Sequence, residues 1–295
     1  MTGPRWSSRS DLERASAAYE RGWWRADPAV AAAAGADSRL RAHLDAGPPL
    51  VRTIDLYEPS NWAVRADLHR ALAAAQIADG SRETPPSAFF TIDCMGAGKT
   101  RILRPLVEAY RTVVLGRTGP PSRVAADEVR VALPEYADGL GSRVVEAEAF
   151  TITYGQVYPA ARDARHDILY DTIGRILPTG EASFEPNLRE LRDAGYRIHV
   201  LLVNTPFPVC VERAEQRALN EDGRLVHLAA QDDVYDQPGQ CLERVVAENG
   251  LVDDWVAVDG SGPPDAPPMQ DGDDPWVGRY QELFDHVAGS RSGPS

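Results

Sequence analysis

Lysine is almost missing from this chain. The composition counts 31 basic residues, and Lys99 is the only lysine among them. Cysteine is scarce and odd in number: Cys94, Cys210 and Cys241 are scattered and form no disulfide framework. A reducing cytosol is therefore the expected compartment. No run of about 18 apolar residues exists, which excludes a membrane-spanning helix. The opening "MTGPRWSSRSDLERA" lacks the apolar core of a signal peptide, so the expectation is a cytoplasmic protein without a membrane partner. Six histidines fall at no metal-ligand spacing. Clustered positive charge is missing as well. The net charge of −13 argues against a nucleic-acid partner; it keeps the chain soluble and weakly favours cationic ligands.

What is present has order along the chain. Residues 1–85 predict a helical N-terminal extension, with "DLERASAAYERGWW" (11–24) and "NWAVRADLHRALAAAQIA" (61–78) at helical spacing. "AGPPL" and "GSRETPPS" interrupt it as turns. Over 86–260 the pattern changes to short apolar runs: "AFFTI" (88–92), "TVVL" (112–115), "DILY" (167–170), "IHVLLV" (198–203) and "WVAV" (255–258). Each is too short for a helix and suits a strand buried on both faces. Helix-compatible segments separate them, as in "EPNLRELRDAG" (185–195), whose closing Gly195 predicts a helix C-terminus. The expected fold class is α/β, a parallel sheet of about five strands between helices. Residues 261–295 predict a Pro/Asp-rich linker, a last helix in "WVGRYQELFDHVA" and a terminal tail.

The lone lysine sits in "TIDCMGAGKT" (91–100), after the first apolar run and before a helical segment. That is the context a G-x-x-x-x-G-K-[ST] phosphate loop requires. Gly96 and Gly98 let the backbone curl around phosphate oxygens, with Ala97 between them. Backbone N–H groups and the helix N-terminus supply partial positive charge. Lys99 reaches the β- and γ-phosphates with a compact ammonium that a wider guanidinium does not replace, and Thr100 ligates Mg²⁺. Asp93 departs from the motif at its first glycine position, and Pro105 predicts a kink in the helix that follows. A GTPase switch is excluded, because its N-K-x-D motif needs a lysine that this chain does not have. No Gly-rich signature loop of an ABC-type ATPase is present. A small-molecule kinase with a P-loop fold is left.

Over roughly residues 85–260 the sequence resembles the zeta-toxin family of kinases and, more distantly, chloramphenicol phosphotransferases. "DEVRVALPEY" (127–136) resembles the family's substrate motif, with Val129 and Leu133 in place of its Phe and His. "HDILYDTIGR" (166–175) resembles its strand ending in Glu-Gly-Thr-x-Arg, with Asp171 for the Glu and Ile173 for the Thr. "LRDAGYRIHVLLVNTPFPVCVERAEQR" (191–217) follows its next helix, strand and helix.

The resemblance implies transfer of a phosphoryl group from ATP or GTP, with Mg²⁺, to an alcohol group of a small molecule. It assigns Asp127 as base, Lys99 to the phosphates, and Arg213 and Arg224 to the nucleotide side; Arg217, in the same arginine-bearing stretch, is a further candidate to neutralise charge on the transferred phosphoryl group. Asp127, Arg130, Asp171 and Arg175 fall to the acceptor. Glu146 and Glu148 read instead as a solvated helix face. In the family the acid closely follows a strand, whereas here "GRTGPPSRVAA" separates Asp127 from "TVVL". The altered motifs favour an antibiotic or biosynthetic intermediate, such as an aminoglycoside-like sugar, as acceptor. The family's own acceptor, UDP-N-acetylglucosamine, with an antitoxin as protein partner, is the alternative. A nucleotide-binding module without transfer activity is the third reading, and Asp93 is what favours it.

Overall fold

The computed structural model describes residues 6–20, 65–77, 83–143, 145–222, 224–226, 231–248, 250–261, 269–274 and 276–291. Parts of the two expected N-terminal helices, the turn at 46–50, most of the 261–275 linker and the end of the tail lie outside them. Six strands form one sheet: β1 (Ser87–Asp93), β2 (Ser122–Val124), β3 (Ile168–Ile173), β4 (Arg197–Asn204), β5 (Asp254–Asp259) and β6 (Met269–Gly272). Their order is β2-β3-β1-β4-β5-β6; the first five in the chain run parallel and β6 runs antiparallel to β5. Four of the five apolar runs lie in strands. β1 sits between β3 and β4, and all seven of its residues are buried, which is why its sequence shows no polar alternation.

The helices are α1 (Arg9–Glu20), α2 (Ala66–Gln76), α3 (Lys99–Val113), α4 (Ala126–Ala132), α5 (Glu146–Ile152), α6 (Tyr158–Ala164), α7 (Glu185–Asp193), α8 (Phe207–Arg217), α9 (Gln237–Ala247) and α10 (Trp276–Arg291). Gly195 follows α7 as expected, and α3 runs continuously through Pro105.

"TVVL" is a correction. It is no strand: Thr112 and Val113 end α3, and the Val114 N–H still bonds the Tyr110 carbonyl at 2.9 Å. The β-branched residues are there because Val113, Val114 and Leu115 pack on the core that α3 already covers, and packing overrides intrinsic preference. The second strand is instead the short "SRV" of β2, which carries no apolar run. β6, "MQDG", is equally silent in the sequence and raises the strand count from the expected five to six.

Two compact units divide the chain. The sheet unit comprises 76–124, 158–211 and 228–295. Its core on one face joins Phe89 of β1, Ile102, Leu103, Leu106 and Tyr110 of α3, Val256 of β5 and Trp276 and Phe284 of α10. The C-terminal helix is thus part of this core. On the other face Phe90 stacks on Tyr170 at 4.6 Å and meets Phe184 at 5.6 Å. Burying each phenylalanine contributes about 1.5–3 kcal/mol, so β1 is anchored from both sides just before the loop it feeds.

The helical unit comprises 1–75, 125–157 and 212–227. Arg65, just before α2, makes a bidentate pair with Glu135 at 2.6 and 2.8 Å and reaches Glu148 of α5 at 2.9 Å. His69 of α2 contacts the same Glu148 carboxylate at 2.5 Å. Glu148 is therefore buried at 3% side-chain exposure and is no part of a solvated face: the Arg65 guanidinium, far away in sequence, pairs with it. Ser16 of α1 donates to the Leu140 carbonyl at 2.8 Å and Arg9 to that of Val226 at 2.7 Å. The described N-terminal residues are in this way built into the unit that carries Asp127.

Candidate functional site

β1 ends at Asp93, and the chain turns through Cys94–Gly98 into α3. Two glycines make that turn possible. Gly98 caps α3 at φ 107° without a side chain over the first turn. Gly96 has φ 92°, and a Cβ built on it would lie 2.2 Å from the Cys210 carbonyl oxygen. The loop's carbonyls are taken up by the protein body: Thr205 Oγ1 donates to Ala97 O at 2.9 Å and Gln231 Nε2 to Met95 O at 2.6 Å. What the turn presents is the start of a helix, where backbone N–H groups and the helix dipole favour an anion.

Lys99, the first residue of α3, bends back over the strand ends. Its Nζ lies 3.1 Å from Asp93 Oδ1 and donates to the Thr172 carbonyl of β3 at 3.1 Å. Asp171, paired in register with Thr91, accepts from Thr91 Oγ1 and from Arg104 Nη2, the latter at 2.8 Å. The cluster Asp93, Lys99, Asp171 and Arg104 stands at the C-terminal ends of β1 and β3, the edge where ligands bind in open α/β sheets. Sequence reasoning missed Arg104; the visible signal was an arginine on the α3 turn after the lysine. Thr100 is exposed at the helix start. A hydroxyl joined by phosphate oxygens is the kind of oxygen donor set that suits Mg²⁺, while the nearby carboxylates of Asp93 and Asp171 already face Lys99 and Arg104. Arg175 is exposed after β3, and its carbonyl accepts the Ser183 N–H at 2.7 Å.

Burial pushes the Asp93 carboxyl up to about 6; the Lys99 ammonium opposes the rise and the Asp171 charge adds to it. The native pKa lies above the unfolded value, so the native state binds the extra proton between about pH 4 and 6. Stability falls as pH rises through that window, and the cost is fully present above it. Two pKa steps correspond to about 3 kcal/mol. Asp93→Asn is therefore expected to stabilise the chain by about 2–3 kcal/mol at pH 8 and by almost nothing at pH 4. Denaturant unfolding at both pH values checks this; an equal gain at both contradicts it.

The helical unit holds a second group of sequence-assigned residues. Asp127 lies in the first turn of α4, where a carboxylate suits the helix dipole. Its carboxylate, 59% exposed, is 2.6 Å from Arg224 Nη1 and 3.5 Å from Arg130 Nη1. Arg130 is buried, also pairs with Glu146 at 3.0 Å, and lies 5.9 Å from the Phe150 ring centroid. Arg213 and Arg217 stand four residues apart on α8, hence on one helix face. One expectation changes here. Asp127 follows β2 by three residues, so the acid does come directly after a strand; the separation from "TVVL" arose from reading the wrong segment as the strand.

Comparison with known proteins places these observations. The profile of the zeta toxin family matches residues 74–262, more than half of the chain. A solved chain from the PezAT chromosomal toxin–antitoxin system of Streptococcus pneumoniae aligns with TM-score 0.50 and 11% identity, covering 78% of this chain and 98% of that one. The tunicamycin resistance protein of Deinococcus radiodurans aligns at 16% identity over 70% of this chain and 96% of its own, with a TM-score of 0.29. None of the curated sequences compared with this chain matches it. The fold is that of the P-loop kinases: a mostly parallel sheet between helices, with the glycine loop leaving its central strand. Among the described residues no helix is long and apolar enough to cross a membrane.

Proposed function

Because this chain belongs to the zeta toxin family, we propose that it is a nucleotide-dependent phosphotransferase that moves the terminal phosphoryl group of ATP or GTP to a hydroxyl of a small molecule. The observation that carries the reading is the placement of the chain's sole lysine at the start of α3, folded over the ends of β1 and β3 behind a loop of left-handed glycines.

Loop N–H groups and Lys99 hold the phosphates; the ammonium exchanges Asp93 for phosphate oxygens when nucleotide enters. Thr100 would hold Mg²⁺ together with phosphate oxygens, and the ion would neutralise charge on the transferred group. Asp127 orients the acceptor hydroxyl and takes its proton as the new O–P bond forms and the bridging β–γ bond breaks. Arg213, Arg217 and Arg224 neutralise the phosphoryl oxygens. Positioning and charge neutralisation supply most of the rate.

The acceptor motifs favour a substrate other than a UDP-sugar: Leu133 is buried where the family has a polar histidine, and Asp171 is held by Arg104. An antibiotic or biosynthetic intermediate with sugar hydroxyls fits the acidic chain better. The second reading follows from family membership: a toxin that phosphorylates UDP-N-acetylglucosamine and is silenced by an antitoxin, as the PezAT system is a toxin–antitoxin system. A mass-spectrometric screen for phosphorylated products, with sugar nucleotides and hydroxylated antibiotics offered alongside Mg–ATP, tests both. A phosphorylated aminoglycoside-like product supports the first reading, and phospho-UDP-N-acetylglucosamine replaces it with the second. Nucleotide binding without any product leaves a binding module.

A further inference from the structure

Two thiols meet beneath the phosphate loop. Cys94 is the first residue after β1, Cys210 lies in the first turn of α8, and their Sγ atoms are 3.0 Å apart. We propose that Cys94 and Cys210 form a redox-active dithiol that a small hydroperoxide oxidises to a disulfide, tying the loop to α8 and weakening nucleotide binding. The effect on nucleotide rests on the phosphate-loop reading above; the disulfide itself does not.

Three observations carry the proposal. The side chains already face one another, and bonding distance is only about 1 Å nearer. Cys94, itself buried, also lines a cavity of about 260 Å³ with Asn204, Thr205, Tyr235 and Asp236, which is large enough to hold a reagent the size of peroxide beside that residue. Finally, the loop rests on Cys210 without slack. There is no room for a Cβ at Gly96 because of the Cys210 carbonyl, and Thr205, whose own carbonyl accepts the Cys210 S–H at 3.3 Å, holds Ala97 O. Drawing the two sulfurs together must therefore move the loop, and misplacement of a site by about 1 Å can cost two decades.

The chemistry balances. The Cys94 thiolate attacks one peroxide oxygen and the O–O bond breaks, leaving a sulfenic acid and releasing water once the thiol proton is taken up. The Cys210 sulfur then attacks the Cys94 sulfur, the S–O bond breaks, and a second water leaves with the Cys210 proton. Two thiols lose two electrons and two protons, and the peroxide becomes two waters. The hydrogen bond to Cys210, and then burial, keep Cys94 protonated, so oxidation is slow at neutral pH and quickens as pH rises. Cys241 is the internal control: burial pushes its thiol up to about 12, and it lies against the backbone at Gly174.

The test treats the full reduced chain with hydrogen peroxide. The expected result is a mass loss of about 2 Da and a peptide map that joins the Cys94 and Cys210 peptides, reversed by dithiothreitol. Cys94→Ser or Cys210→Ser abolishes the link and Cys241→Ser does not. The oxidised wild-type chain binds Mg–ATP at least about tenfold more weakly than the reduced one. A sulfinic acid without a link, a link through Cys241, or unchanged affinity in a chain whose reduced form binds nucleotide overturns the proposal. A reduced chain that fails to bind Mg–ATP overturns the phosphotransferase reading and the claimed effect on affinity with it.

Discussion

Lys99→Ala lowers phosphoryl transfer by about three decades, measured as kcat/KM for the nucleotide. The size follows from electrostatics: an ammonium about 4 Å from a phosphate charge at an effective dielectric near 20 contributes about 4 kcal/mol, and each 1.36 kcal/mol is a decade. The lysine starts from a pair with Asp93 and a bond to the Thr172 carbonyl, so binding exchanges partners and does not draw an ammonium out of bulk water. Lys99→Arg rescues little, because a planar guanidinium is broader than the ammonium that this turn accommodates. Removing Lys99 leaves Asp93 buried without its cation, and a folding loss could imitate a catalytic one. The double variant Lys99→Ala/Asp93→Asn separates the two: it recovers stability and stays inactive. Recovery of transfer in the double variant contradicts the role given to Lys99.

Asp127→Asn comes next in size. It lowers kcat by about two to four decades, the range for losing an acid–base group, and leaves nucleotide affinity within about twofold. The carboxylate is 59% exposed and its ion pairs are solvent-screened, so the substitution costs little stability. The split between kcat and affinity distinguishes a proton acceptor from a residue that only holds Arg224 in place, because the latter change weakens nucleotide binding too. Turnover within threefold of wild type reassigns the base, with Asp171 the next acid of the family motifs.

The sequence disclosed the parts of this protein that local pattern controls. A lysine used once, in a glycine turn after an apolar run, marked the loop. Strands buried on both faces announced themselves as apolar runs in β1, β3, β4 and β5. Where a strand is short or polar, as in β2 and β6, no run exists to read, and where a helix end packs on the core, as at Val113–Leu115, β-branched residues imitate a strand. Contacts between distant segments were silent for another reason: nothing local marks a partner. Arg65 meets Glu135 across 70 residues, and Cys94 meets Cys210 across 116. The misplaced second strand also hid the fact that Asp127 directly follows β2.

If "DCMGAGKT" is a phosphate loop that acts through its lysine, Mg–ATP affinity depends on the Lys99 ammonium. Calorimetric titration of Mg–ATP into the reduced full-length chain, and into Lys99→Ala under the same conditions, tests it most directly. The wild-type chain is expected to bind at one site, and the alanine variant at least about thirtyfold more weakly, within the roughly 4 kcal/mol that a close charge pair supplies. Equal affinity in the two proteins, or no binding to the wild-type chain, contradicts the account.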